Sequence, residues 1–290
     1  MSPTAVLYVA QAIHGLAYGM LLFLVASGLT MIFGMMGILN LAHASFAMLS
    51  AYFCYQIFLM TENFWVALLI APVFTGICGV LTERFLLRSV HKQGHLAELL
   101  ITVGIAMVIL ESVKVGWGAE SLVVKIPESL SGLVNFAGLT YPIYRLFVIG
   151  LSVVILGIMA LILFKTRLGK IVRAAVSDAD MVSALGINTP LVFMLVFGIG
   201  IWLAGVAGAV AGPLLTVFPG MADQLGMDAF VVVVVGGFGS LGGAFIVALF
   251  LGELNAYGIQ FIPRLAPVLM FAFMAIVLAF KPMGLFGERE

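Results

Sequence analysis

Charge is what this sequence lacks. Of its 290 residues only 9% are Asp, Glu, Lys or Arg, 13 of each sign, with no formal net charge. A soluble domain carries roughly 25% charged residues to solvate its surface, so a soluble globular protein is excluded. Neither a basic face for nucleic acid nor an acidic tail is left. Glu62 is the first charged residue in the chain. Cysteine is scarce: Cys54 and Cys78 sit in apolar runs without metal-ligand spacing and read as small buried hydrophobes. There is no P-loop, no H-E-x-x-H pair and no Ser/His/Asp arrangement. The chain therefore cannot hydrolyse ATP itself, and neither a catalytic residue nor a metal or cofactor is expected in it. A basic n-region is missing too, and the apolar stretch Ala5–Phe33 is too long for a signal core, so it reads as a retained helix.

Apolar length is what the chain has. It is 63% hydrophobic with a mean hydropathy of +1.25, and a bilayer crossing needs about 20 apolar residues. Punctuation by polar, Gly and Pro residues gives eight elements: Ala5–Phe33, Leu41–Met60, Phe64–Leu87, Leu96–Trp117, Tyr144–Phe164, Pro190–Phe218, Asp228–Ala256 and Leu265–Phe280. The expected fold is an all-α polytopic membrane protein. One transmembrane domain covers residues 1–290, with about eight transmembrane or re-entrant helices and two Gly-rich breaks.

Lys and Arg in short loops set the orientation. Arg84, Arg88 and Lys92 follow the third element, and Lys165, Arg167, Lys170 and Arg173 follow the fifth, so both loops are cytoplasmic. The loop Gly118–Ile143 then faces outward, edged by Trp117, Tyr141 and Tyr144. Lys281 and Arg289 suggest a cytoplasmic tail. That requires Asp228–Ala256 to dip in and return to its own side. Its centre, from Gly236 to Gly243, holds five glycines, and each costs about 1 kcal/mol against Ala inside a helix.

A second break, Gly34 to Ser45, brings Asn40, His43 and Ser45 into an otherwise apolar stretch. Irregular backbone at membrane depth is tolerated where it is buried in protein or lines a wet cavity, and paired broken helices point to a substrate path. Asn40, His43 and Ser45, with Gly236, Gly237, Gly239 and Ser240, are thus expected to meet along one pathway near the midplane.

The cytoplasmic segment Gly169–Pro190 carries an S-x-x-D start at Ser177 and Asp180 and a left-handed stop at Gly186. Asn188 or Thr189 caps the next helix, with Pro190 at its start. Between them a short helix presents Met181, Val182 and Leu185, apolar side chains that await a partner. Arg173 and Asp178 belong to the same coupling segment. Elsewhere, Glu111 and Lys114 read as a pair, Glu98 as a first-turn carboxylate and Asp228 as an N-cap. His14 has no visible partner, and Glu253 has no explanation.

Several stretches together resemble the smaller permease subunit of the branched-chain amino-acid (Liv-type) ABC importers. They are Gly28–Gly34, Ile38–His43, Met48–Tyr52, Arg173–Ala175 with Ala184–Ile187, the Gly236–Gly243 run and Pro282–Gly287. Ala44-Ser45 departs from that family, which usually has Gly-Glu there. The resemblance implies a multi-pass protein of the bacterial inner membrane, in contact with lipid. It also implies a second homologous permease, two ATP-binding cassette subunits that bind ATP and magnesium, and a periplasmic solute-binding protein. The implied cargo is a branched-chain or hydrophobic amino acid or a related small polar solute, with urea, amides and aromatic acids left open. A secondary transporter or channel is the alternative, and an intramembrane enzyme around His14, His43 or Glu253 a remoter one.

Overall fold

The computed structural model describes residues 3–136 and 139–287, and of residues 3, 4, 92, 136, 176, 177, 179 and 180 the backbone alone. Helix α1 (Pro3–Met36) is followed by α2 (His43–Thr61) and α3 (Phe64–Thr82), which runs on through a π turn (Glu83–Leu87) into α4 (Arg88–Val90). Next come α5 (His95–Trp117), strands β1 (Leu133–Phe136) and β2 (Leu139–Pro142), α6 (Ile143–Lys165), and two short helices, α7 (Arg167–Ser177) and α8 (Ala179–Ala184). Then follow α9 (Thr189–Leu215), α10 (Met221–Gly236), α11 (Leu241–Phe261) and α12 (Ala266–Phe280). Among the described residues, 7 helical segments can cross a membrane by length and composition: α1, α2, α3 with α4, α5, α6, α9 and α11; α12 is a shorter apolar helix.

Short polar residues set the reversals. Glu62 ends α2 at φ 53°, and the Asn63 side chain accepts from the amides of Trp65 (2.9 Å) and Val66 (3.3 Å) to open α3. These bonds satisfy donors that a helix start otherwise leaves free. Asn188 does the same for α9, accepting from Leu191 N–H at 3.1 Å, with Pro190 in the first turn.

Helix α1 is the central post, fully buried from Leu21 to Ala26 and packed against α6, α9, α10 and α11. Lipid offers helices little hydrophobic reason to associate, so close backbone contact through small residues takes over. Gly208 of α9 lies against the Ala47 carbonyl, and a Cβ on Gly205 would stand 3.0 Å from Pro72 Cα. The outward faces of α3, α5, α6 and α12 present Leu69, Phe74, Met107, Val108, Val154 and Ile276.

The seventh expected element is two helices. Asp228 lies inside α10, which begins seven residues earlier at Met221, so Asp228 is not an N-cap. Helices α10 and α11 form a hairpin that returns to its own end, as the parity argument requires. Its turn is deep: Gly239 packs on Gly34 near the end of α1, while Glu253 lies on Gly15 and Gln260 bonds Gln11 at the other end. The tail beyond α12 therefore lies at the same end as the loops bearing Arg84 and Lys165.

Among the described residues, the strands lie in the loop between α5 and α6. Strands β1 and β2 pair antiparallel with Val134 opposite Tyr141. Leu122 and Val217 exchange backbone hydrogen bonds of 2.8 and 2.9 Å, which fastens this loop to the α9–α10 link.

Candidate functional site

The first break turns at Gly37, whose φ of 65° suits glycine and whose N–H closes on Phe33 C=O at 2.8 Å. Residues 38–42 then climb back along α5, where Leu41 N–H approaches Thr102 Oγ1 at 3.4 Å. Asn40 organises the restart: its Oδ1 accepts from Ala42 N–H (3.1 Å) and its carbonyl from His43 N–H (3.2 Å). His43 Nε2 meets Val25 C=O at 3.0 Å, so α2 begins level with the middle of α1. Gly28 permits this, because a Cβ there would lie 2.9 Å from His43 Cε1. Asn40, His43 and Ser45 are all buried, at 2%, 2% and 6% exposure.

These three residues line a cavity of about 300 Å³, closed by Val25 and Leu29 of α1, Ala106 of α5 and the first half of α10, including Asp223, Gly226 and Phe230. Asn40 Nδ2 and His43 Nδ1 are buried without a hydrogen-bond partner. An unmet buried polar group costs about 1–3 kcal/mol, and functional sites are where such costs are retained.

The second break is built differently. Leu285 N–H donates to Val235 C=O (2.8 Å) and Phe286 N–H to Gly236 C=O (3.3 Å), so the tail caps the last carbonyls of α10. Gly237, at φ 94°, lies directly against Phe286 and Gly287. Ser240 caps α11 by accepting from Gly243 N–H at 3.1 Å. The two breaks meet where Gly34 packs on Gly239, with a Cβ on Gly34 coming 2.7 Å from Gly239 Cα, and Phe33 lies against Phe238 beside them. Of the residues expected along one pathway, Gly236 and Gly237 do not line the cavity of Asn40, His43 and Ser45, and the tail takes up the backbone groups that the second break frees. Gly239 and Ser240 instead line a second cavity, of about 600 Å³, with Thr30, Met31, Gly34 and Arg173. Helix α1 walls both cavities, with Leu29 in the first and Thr30 in the second.

At the end of the bundle that carries Lys165, α7 and α8 form a helical pair. Asp178 caps α8, its Oδ1 accepting from Met181 N–H at 2.8 Å, in the role expected of Ser177. The side chains of Ser177 and Asp180 lie outside the described residues. Gly186, at φ 84°, closes the pair. Met181 and Leu185 are exposed, at 59% and 74%, but Val182 is 3% exposed. The presented face is therefore Met181 and Leu185, four apart and on one side, with Val182 turned inward because it stands about 100° round the helix from Met181. Arg173 donates to Leu163 C=O and lies over the Phe164 ring at 5.7 Å, which ties α7 to the end of α6.

Long-range polar pairs escaped sequence reasoning. Tyr18 O–H donates to Asp228 across the α1–α10 contact. His14 Nδ1 accepts from Tyr141 O–H at 2.9 Å and from Arg145, so His14 does have partners. The Glu111–Lys114 pair forms at 2.7 Å, and Glu98 lies in the first turn of α5 with His91 against it. Glu253 Oε2 is buried beside Gly15 without a partner.

A multi-pass bundle with a helix restarting inside it beside a cavity, and a helical pair at one end, is the architecture of a membrane permease subunit. The particular family follows from comparison with known proteins. Residues 11–278 match the model of the branched-chain amino acid transport system permease component, and the chain belongs to that family. It is 30% identical to the high-affinity branched-chain amino acid transport system permease protein LivH of Escherichia coli K12, over 100% of this chain and 99% of the relative. It is 29% identical to the corresponding protein BraD of Pseudomonas aeruginosa, over 98% and 97%. A probable LivH of Methanocaldococcus jannaschii is 26% identical over 81% and 76%. No solved structure matches the chain.

Proposed function

We propose that this permease subunit serves an ABC importer of the bacterial inner membrane. Its assembly comprises a second homologous permease, two ATP-binding cassette ATPases and a periplasmic solute-binding protein. The cargo is a branched-chain or other hydrophobic amino acid, or a small polar solute of similar size. The observation that carries this reading is the first cavity. It holds Asn40, His43 and Ser45 in an interior otherwise as apolar as lipid, with buried polar atoms left unmet.

The pathway runs along α1. Solute enters the cavity at Asn40, His43 and Ser45, passes the ring at Leu29 and Thr30, and leaves by the cavity lined with Gly239 and Ser240. Gly236 and Gly237 form the pivot of the α10–α11 hairpin, held by the tail. ATPase closure acts on Met181 and Leu185, and the α7–α8 pair transmits it through Arg173 to α6. The coupling surface of Arg173, Ser177, Asp178, Asp180, Met181, Val182, Leu185 and Gly186 thus divides into two contact side chains and the frame that holds them. That exposed apolar pair is what favours an ATP-driven importer over a secondary transporter.

The test is uptake by right-side-out vesicles, loaded with ATP, of cells making the assembled transporter. Solute accumulation that needs ATP and the binding protein supports the reading. Accumulation driven by an ion gradient without ATP would point to the secondary transporter instead.

A further inference from the structure

Near the start of α1 stands a cation that no acid answers. We infer that Arg145 of α6 and His14 of α1 form an outward carboxylate site, the first place inside the permease where the solute's carboxylate is held. This rests on the permease reading above and narrows the cargo to a solute that carries a carboxylate.

Arg145 is half-buried in the first turn of α6, and among the described residues it pairs with no carboxylate. A cation inside a bundle is costly without a counter-ion and marks a solute or ion path. Its neighbours are neutral. A guanidinium can only donate, so its bond to His14 Nδ1 puts the ring proton on Nε2. Tyr141 O–H donates to the same Nδ1 at 2.9 Å. His14 Nε2–H makes no hydrogen bond within the chain and is accessible. The guanidinium also has more N–H donors than His14 and Tyr141 take up.

Both residues line a cavity of about 60 Å³ with Ala17, Tyr18, Leu21, Leu214 and Leu215. That is room for about two waters or one carboxylate group, and not for a whole amino acid. A planar carboxylate matches the guanidinium fork. The opening turn of α6, whose N-cap Pro142 gives no side-chain cap, adds its positive end. Asp228 of α10 is held by Tyr18 O–H and does not line the cavity.

The site also lies on the way in. On the orientation that the Lys and Arg loops imply, this is the outer end. His14, Tyr18, Leu21, Val25 and Leu29 follow at intervals of three or four, so they share one face of α1. The first three line this cavity, and the last two line the cavity of Asn40 and His43. His14 stands about 16 Å along the helix from Val25. Leu21 and Val25, fully buried, close the way between the two cavities.

The experiment uses the full-length chain in nanodiscs with 15N-labelled histidine. The probes are valine, 3-methylbutanoate and valinamide, with chloride as the plain anion. The His14 Nε2 resonance is assigned by its loss in His14→Gln. Valine and 3-methylbutanoate should move that resonance saturably, while valinamide and chloride leave it in place. Arg145→Gln should weaken the response to both carboxylates about tenfold or more, and Arg145→Lys, which keeps the charge, should respond between the two. Unchanged resonances of His43, His91 and His95 report that each variant is folded. No shift with either carboxylate overturns the inference, as does an equal shift with chloride or an undiminished one in Arg145→Gln. ATP-driven uptake, measured in parallel, tests the permease reading alone. Uptake of valine with no His14 shift would sink the inference and leave that reading standing. A His14 shift without ATP-driven uptake would do the reverse.

Discussion

The two glycine-rich breaks look alike as sequence and do opposite things. At the first, side chains restart a helix beside a cavity and leave Asn40 Nδ2 and His43 Nδ1 buried without a partner. At the second, the freed carbonyls of Val235 and Gly236 are closed by the amides of Leu285 and Phe286. What separates them is where the backbone hydrogen bonds go. Backbone that its own protein satisfies is scaffold, and polar groups left open at membrane depth mark a path.

The largest effect that would break this contrast is at Gly237. Its φ of 94° and its contact with Phe286 and Gly287 leave no room for a side chain. Gly237→Leu should cost about 3 kcal/mol or more from left-handed strain and overpacking together. Thermal unfolding in detergent should therefore fall sharply, and removing residues 284–287 should mimic it. A variant of unchanged stability that has lost transport would return Gly237 to the pathway.

The cytoplasmic pair gives the next largest effect and splits stability from coupling. Val182→Asp buries a charge and should destabilise the isolated chain by about 2–3 kcal/mol. Leu185→Asp should leave its unfolding unchanged yet weaken ATPase association about tenfold or more, as the loss of one buried leucine implies. Pull-down of the ATPase with each variant reads the difference. Equal behaviour of the two would mean that the exposed face is not the contact.

The smallest effect on stability belongs to the first break. His43→Phe loses the bond to Val25 C=O but also removes an unmet acceptor, so stability should change by no more than about 1 kcal/mol. Transport, measured as ATP-driven uptake, should nonetheless fall. Large unfolding with intact uptake in the surviving fraction would make His43 scaffold.

Much of the fold was legible because the bilayer is an exacting solvent. Apolar runs of about twenty residues admit few readings, and caps such as Asn188 and Gly186 announce themselves locally. The first break was visible as Asn40, His43 and Ser45 in an apolar run. Asp228 misled because an acid near an apparent helix start reads as a cap, whereas its partner, Tyr18, is supplied by a helix 210 positions away in sequence. Tyr141 and Arg145 reach His14 by the same kind of long-range meeting. The β1–β2 ribbon had a signal in the alternation of Leu133–Phe136 and Leu139–Pro142 about Ala137-Gly138, which an all-helical expectation passed over. The tail's hold on the second break had none, since it pairs backbone amides that carry no side-chain pattern.

The central claim is that the walls of the first cavity part and close as solute passes. A Cβ on Gly226 of α10 would stand 3.0 Å from Ala44 Cβ of α2, where the two helices meet at the edge of that cavity, within reach of a disulfide after slight relaxation. Ala44→Cys with Gly226→Cys, in a chain whose Cys54 and Cys78 are replaced by Ala, locks those walls on oxidation. ATP-driven uptake should stop when the bond forms and return on reduction. Uptake that continues with the bond fully formed would contradict the account.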